Sequence, residues 1–306
     1  MKKVLYAAAV ISIVVVAAIY FAIPSTLKVV AVVPARCNVD GADRALRDTA
    51  NREKWWPEEG SGTMHFKVTK LFRRMVDVSI VDGAVSVSSQ LSVYPKVRID
   101  SCTLQWVLNL PSGPNPITRV ERYLEAKKLA AGMQETLSKL GYRLEDQRLI
   151  YGMDITEGNT EDSVLVSTVR VLDRYPSDPA IYVLVDHLRQ FVLRHGGAVT
   201  GYPMLNVTNE LGRAFKVEVG LPTNKMMNDA DDIRWRRLIR VVFLVADVHG
   251  GDSTIREAVR QMANYVSDYQ RTVMAIPYQS LVTDRMKEQD TTRWITRLYV
   301  PVYPIH

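Results

Sequence analysis

The chain has 306 residues, 47% of them hydrophobic and 24% charged, with a formal net charge of +6. That is enough chain for two domains with cores of their own, and the composition excludes a disordered or low-complexity protein. The mild basic excess suits anionic partners, a membrane surface included, without selecting one.

In chain order, the first feature is "LYAAAVISIVVVAAIYFAI", Leu5 to Ile23, an uncharged run behind Lys2 and Lys3. As a helix it would extend about 28 Å, close to the thickness of a bilayer's hydrocarbon core. Tyr20 and Phe21 sit near its far end, where aromatic side chains favour the interface. Residues 1–25 are therefore expected to form an uncleaved membrane anchor with the N-terminus in the cytoplasm. A cleaved signal peptide is the alternative; the length of the run, and an exit "FAIPSTLK" without a small-x-small site, stand against it. The expected localisation is a single-pass membrane protein with extracytoplasmic domains, on the periplasmic side of the inner membrane in a Gram-negative cell. Cys37 and Cys102, the two cysteines, would be able to bond in that compartment or stay as thiols, and the sequence leaves both open.

From Leu27, "LKVVAVVPA" reads as a strand rich in β-branched residues. "NVDGADRALRDTANREKWW" contains helical stretches closed by Pro57. "MHFKVTKLF", "VDVSIVDGAVSVSSQLSVYP" and "VRIDSCTLQWVLNLP" alternate in twos, with Asp82-Gly83 as a hairpin signal. After the break "PSGPNP", Ile117, Val120, Leu124, Ala131 and Leu140 recur near helical spacing, which predicts one long amphipathic helix with that stripe in the core. "REKWWPEE" and "NPITRVERYLEAKKLAAGMQETLSKL" resemble the START and polyketide-cyclase-like (SRPBCC) helix-grip superfamily over roughly residues 27–145. That resemblance implies a hydrophobic pocket under the long helix and no particular reaction.

From Ser163 the chain reads strand "SVLVSTVRVL", helix "PAIYVLVDHLRQFVLRHGG", then strands "YPMLNV" and "AFKVEVGLP". The same order returns from Arg240: "RVVFLVADVHGG", "STIREAVRQMANYVSDYQ", "PYQSLVTD" and "WITRLYVPV". Ser253 or Thr254 is expected to cap the second helix, with Glu257 completing a capping box. The domain is thus a duplicated β-α-β-β unit, with Glu218 four residues before Pro222 and Arg297 four before Pro301. Alternation turns Leu205, Val207, Val217, Val219, Leu221, Leu298 and Val300 toward the helices. The opposite face collects Tyr202, Met204, Asn206, Glu218, Tyr278, Ser280, Arg297 and Tyr299. These are the candidate ligand-binding residues, since aromatic side chains with a few polar groups make the usual small-molecule site.

"GYPMLNV", "VEVGLP", "HGGDSTIREAVRQM" and "RLYVPV" are similar to the GyrI-like small-molecule-binding domain, also found as the effector-binding half of AraC- and MerR-type regulators. The resemblance covers roughly residues 148–303 and implies an organic ligand in the groove between the halves. Many such domains carry an acidic residue four positions before the closing proline. Here Arg297 stands there, and a guanidinium favours carboxylate or phosphate. A salt bridge between Glu218 and Arg297 is the competing expectation.

His187 and His195 are eight positions apart on one helix and His249 lies elsewhere, so no metal site is expected. No GxSxG or phosphate-cradling glycine loop is present, so no catalytic residue and no cofactor are named. "RWRRLIR", Arg234 to Arg240, is read as a solvated loop between the repeats, with lipid headgroups as the alternative contact. No helix-turn-helix precedes the domain, which argues against nucleic acid. The expected fold class is α+β: a transmembrane helix (1–25), a helix-grip domain (27–145) and a duplicated β-α-β-β domain (148–306). The expected function is membrane-anchored, extracytoplasmic binding of a hydrophobic or amphipathic small molecule without catalysis. A hydrolase or cyclase, and a protein-interaction module of the envelope, are the alternatives.

Overall fold

The computed structural model describes residues 2–48, 64–82, 85–159, 163–210, 212, 214–238 and 241–304. The chain forms two compact units, Met1–Ile150 and Tyr151–His306, each built on one antiparallel sheet. The expected segment "REKWWPEE", Gly83 of the hairpin and Arg240 lie outside the described residues.

The first unit begins with α1 (Lys2–Ala22), β1 (Thr26–Ala35) and α2 (Val39–Arg47). Strands β2 (Met64–Phe72), β3 (Met75–Asp82), β4 (Val85–Pro95) and β5 (Cys102–Pro111) follow, then α3 (Pro116–Leu144). The sheet runs β1-β5-β4-β3-β2, so the first strand closes against the last. Period-two alternation holds along β5, where Cys102, Leu104, Trp106, Leu108 and Leu110 are buried. The Trp106 indole N–H donates to Ser89 Oγ at 2.8 Å, and Ser89 Oγ in turn donates to the Val78 carbonyl at 2.7 Å. That relay satisfies the one polar group of the largest core side chain.

Helix α3 starts where Asn115 accepts from the Ile117 N–H at 2.9 Å and Pro116 presets the first turn. Its buried face is Ala126, Leu129, Met133, Leu137, Leu140 and Leu144, a clean helical period over the sheet. Gly141 permits the closest approach: a Cβ there would meet Val33 Cγ1 at 3.0 Å. The stripe expected from Ile117, Val120, Leu124 and Ala131 is not the core face. Ile117 is 69% exposed and Leu124 60% exposed, and Val120 and Ala131 are exposed too. The two stripes lie on opposite sides of the helix, offset by roughly half a turn, and the residues of α3 buried on the sheet run from Ala126 to Leu144.

Among the described residues no helix is long and apolar enough to cross a membrane, and the side chains of Val4 and Leu5 lie outside that set. In α1 the side chains Tyr6 to Ala18 are exposed, while Ile19 packs on the core and Ile23, just beyond, is buried.

The short helix α4 (Gln147–Tyr151) leads into the second unit: β6 (Thr156–Asn159), β7 (Ser163–Leu172), α5 (Asp178–Arg194), β8 (Met204–Glu210) and β9 (Ala214–Thr223). Then come β10 (Ile233–Leu238), β11 (Val242–His249), α6 (Asp252–Asp268), β12 (Tyr278–Leu281) and β13 (Ile295–Val302). The sheet order is β10-β7-β9-β8-β12-β13-β11-β6. It reads symmetrically from its centre, where β8 meets β12 with Leu205 opposite Gln279 and Met204 opposite Ser280. The pseudo-twofold therefore passes between Leu205 and Gln279. Val217, Val219 and Leu221 are fully buried against Val185, Leu188 and Val192 of α5, and Leu298 and Val300 are buried in the second half.

Two local expectations are corrected. Part of "RWRRLIR" is not a loop but β10, paired along β7 from Ile233↔Thr168 to Leu238↔Ser163. Ile233 is buried while Arg234, Arg236 and Arg237 are exposed, the usual charge decoration of a sheet edge. The second correction concerns α6, which is capped by Gly251, with no side-chain bond from Ser253 or Thr254. Glu257 instead pairs with Arg260 at 2.5 Å.

Candidate functional site

Strand β12 holds four residues and begins just after Pro277. Before that point no strand among the described residues bridges the gap between β8 and β13, and a cavity of about 230 Å³ opens there. From β8 it is lined by Leu205, Asn206 and Val207, from β13 by Leu298, Tyr299 and Val300, and from α6 by Val259, Met262, Ala263 and Val266. Val273, Pro277, Tyr278 and Gln279 complete the wall. The cleft thus lies at the pseudo-twofold, beside α6 and in the gap of the sheet, with residues of both sheet faces in its wall, and its lining is almost wholly apolar. A closed apolar cavity of about 150 Å³ already holds benzene, so this one has room for a two-ring molecule.

The polar groups are few and held in place. Asn206 Nδ2 donates to the Pro277 carbonyl at 2.7 Å and its Oδ1 accepts from Thr208 Oγ1 at 2.9 Å. The side chain thereby ties the entry of β12 to β8. Tyr278 and Tyr299 stack with centroids 4.8 Å apart, and Phe243 packs edge-on against both. Burial, followed by the neighbouring Tyr299, pushes the Tyr278 hydroxyl above the ordinary tyrosine range.

The candidate residues fall into two rows that cross the sheet on the face away from the helices. One row runs Val169, Glu218, Asn206, with Tyr278 and Tyr299 beyond; the other runs Gly220, Met204, Ser280, Arg297, Asp247. Asn206, Tyr278 and Tyr299 line the cleft. Met204 and Ser280 are buried in the second row, and Tyr202 is 53% exposed in the turn before β8. Glu218 and Arg297 do not pair. Arg297 makes a two-pronged bond to Asp247, its register partner on β11, at 2.6 and 2.9 Å. The guanidinium holds the Asp247 carboxyl below the usual carboxylate range. At the twofold-related place opposite Glu218 stands Val169, which offers no charge. Glu218 is half-buried and has no ion-pair or hydrogen-bond partner among the described residues. The arginine is therefore neutralised and the glutamate is the open charge, the reverse of what spacing before the prolines implied.

Alternation alone did not locate the wall from α6. Val259, Met262, Ala263 and Val266, spaced three and four apart on α6, are the signal in the sequence that points to it. A second missed feature is Arg285, whose buried guanidinium bonds Asp178 at 2.8 Å and Thr296 Oγ1 at 3.0 Å and lies over the Trp294 ring. It joins the first turn of α5 to β13 across the two halves. Among the described residues no group of three or more His, Cys, Asp or Glu side chains is placed to hold a metal ion.

The fold so described is that of a two-domain α+β protein with antiparallel sheets. Solved structures similar to it include the DNA complex of EcmrR, at 17% identity and TM-score 0.46 over 62% of this chain and 72% of that one. The C-terminal domain of EcmrR follows at 16% identity and TM-score 0.44, over 50% of this chain and 99% of that one. SAV2435 bound to tetraphenylphosphonium is similar at 16% identity and TM-score 0.32, over 49% of this chain and 94% of that one. No protein-family profile and none of the curated proteins matches the sequence.

Proposed function

We propose that the second unit binds a small apolar or amphipathic organic molecule in the cleft under α6, as a binder and not as an enzyme. The observation that carries this reading is the apolar cavity at the pseudo-twofold, with its wall supplied by both repeats. An apolar pocket with a few fixed polar groups is the common form of a small-molecule site. Asn206, Tyr278 and Tyr299 would contact the ligand directly. Glu218, one strand from Asn206, would give the site its charge preference, while Tyr202, Met204, Ser280 and Arg297 frame the same face. With Arg297 occupied by Asp247, the preferred ligand is neutral or cationic. The GyrI-like and SRPBCC-like resemblances of the two halves, and an α1 seated in a membrane with both units outside the cytoplasm, belong to the same proposal.

The test uses two probes of similar ring size and opposite charge, 1-naphthylmethylammonium and 1-naphthalenesulfonate, titrated calorimetrically into the full chain. The ammonium should bind more tightly, Glu218→Gln should erase the difference, and Ala263→Phe should block both. Binding that survives Ala263→Phe unchanged, or no binding by either probe, would overturn the assignment.

A further inference from the structure

Helix α1 is apolar around its whole circumference: from Tyr6 to Ala22 it carries no charge, and all its described side chains but Ile19 are exposed. A protein partner covers one side of a helix, whereas lipid surrounds it, and a helix apolar on every side calls for that kind of cover. The end of α1 is fixed to the start of α3. Arg119, buried in the first turns of α3, donates to the Ile23 carbonyl at 2.9 Å and the Gly113 carbonyl at 3.0 Å. Its guanidinium also lies over the Tyr20 ring at 4.4 Å, and the Tyr20 hydroxyl donates to the Pro114 carbonyl. A guanidinium on the last carbonyls of a helix satisfies groups that otherwise lack a partner there.

This latch places the stray stripe of α3 beside the end of α1. Ile117 and Leu124 stand out into solvent with Val120 and Tyr123 between them, and Phe21 at the end of α1 is 95% exposed. Beside these apolar side chains are Lys127 and Lys128, and the Lys127 ammonium lies over the Tyr123 ring at 4.8 Å, while Arg122 is taken up by Glu125 at 2.6 Å. Apolar residues for the acyl boundary, aromatic rings for the interface and basic groups for anionic headgroups are what a lipid surface selects.

We infer that the first three turns of α3 are a membrane-docking surface, lying in the headgroup layer of the bilayer that surrounds α1. The inference rests on the reading of α1 as membrane-seated and adds a second contact, which fixes the tilt of the first unit against the lipid. A free α1 would leave the unit tethered and tumbling; the docked stripe holds it down.

The full chain, reconstituted in nanodiscs of brominated phosphatidylcholine and phosphatidylglycerol, tests both levels separately. Three variants each add one tryptophan: Ile13→Trp on α1, Leu124→Trp on α3, and Val183→Trp on the exposed side of α5. The bromolipid should quench the added fluorescence at positions 13 and 124, deeper at 13, and leave that at 183 unchanged. Quenching at 13 with none at 124 would overturn the docking surface while leaving α1 in the bilayer. No quenching at either would overturn both. Loss of quenching at 124 together with a doubled particle mass would assign the stripe to a second copy of the chain and would also overturn the lipid assignment.

Discussion

Cys37 and Cys102 are buried in the core of the first unit as free thiols with their sulfurs 3.5 Å apart. The contact joins the start of α2 to the start of β5, next to the pair Ala35↔Cys102 that ends the β1–β5 ladder. Small side-chain rotations bring such sulfurs to bonding distance, so oxidised glutathione should convert them to a disulfide, each thiol losing its proton and the glutathione leaving as two thiols. The bond would close a loop across a sequence separation of 65. The chain-entropy relation then gives about 4 kcal/mol of added stability, through restriction of the unfolded chain. For a unit of this size that is a rise in Tm of roughly 10 °C. The assay is calorimetric melting of the protein equilibrated in oxidised or reduced glutathione, beside Cys102→Ala, with mass spectrometry to register the loss of two hydrogens. The oxidised protein should melt higher and the variant should ignore the oxidant. Two free thiols persisting in the oxidised buffer, or a bond formed with no change in Tm, would refute the reasoning.

Arg285 is 4% exposed in its side chain and faces Asp178, Asp252 and Thr296 together. Arg285→Met should cost about 3 kcal/mol in urea unfolding, the low end for a broken buried pair because the carboxylates keep some water; a loss below about 1 kcal/mol would remove the guanidinium as a staple between the repeats. Asp247 has its folded pKa depressed by Arg297. Its contribution is therefore present above the unfolded carboxylate value and is lost as pH falls through the lower folded one. Arg297→Met should flatten the acid limb of stability below about pH 4, and should return the Asp247 carboxyl toward its ordinary titration by NMR. An unchanged acid limb, with the carboxyl still depressed, would mean another group holds it. Tyr278, pushed up by burial, should be missing from the tyrosinate absorbance that appears as pH rises past 10, until the domain unfolds; a full complement of ionised tyrosines in the folded state would contradict its burial.

Much of the second unit is legible as written. The alternation in "AFKVEVGLP" predicts its inward face, and Val217, Val219 and Leu221 are indeed fully buried, because a strand under a helix has one dry side and period two permits no other sorting. The duplication is legible for the same reason, each repeat needing its own helix to cover its own strands. The partner of Arg297 is less visible. It follows from the β11–β13 register, which pairs Asp247 with Arg297 only once the two strands are known to be neighbours. The cleft depends on β12 starting only at Tyr278, after Pro277, a boundary that an apolar–polar pattern does not encode. In α3, Ile117, Val120 and Leu124 keep helical spacing as well as the true core residues do. Periodicity identifies an apolar stripe without saying what covers it, and a helix that extends past its sheet carries two such stripes.

The most direct test of the central claim is methyl NMR of the full chain titrated with 1-naphthylmethylammonium. The account predicts shifts concentrated on Leu205, Val207, Val259, Val266 and Val300, around the cleft, with Leu129 and Leu137 beneath α3 silent. Shifts that cluster beneath α3 instead, or are spread over exposed methyls of both units without saturation, would contradict it.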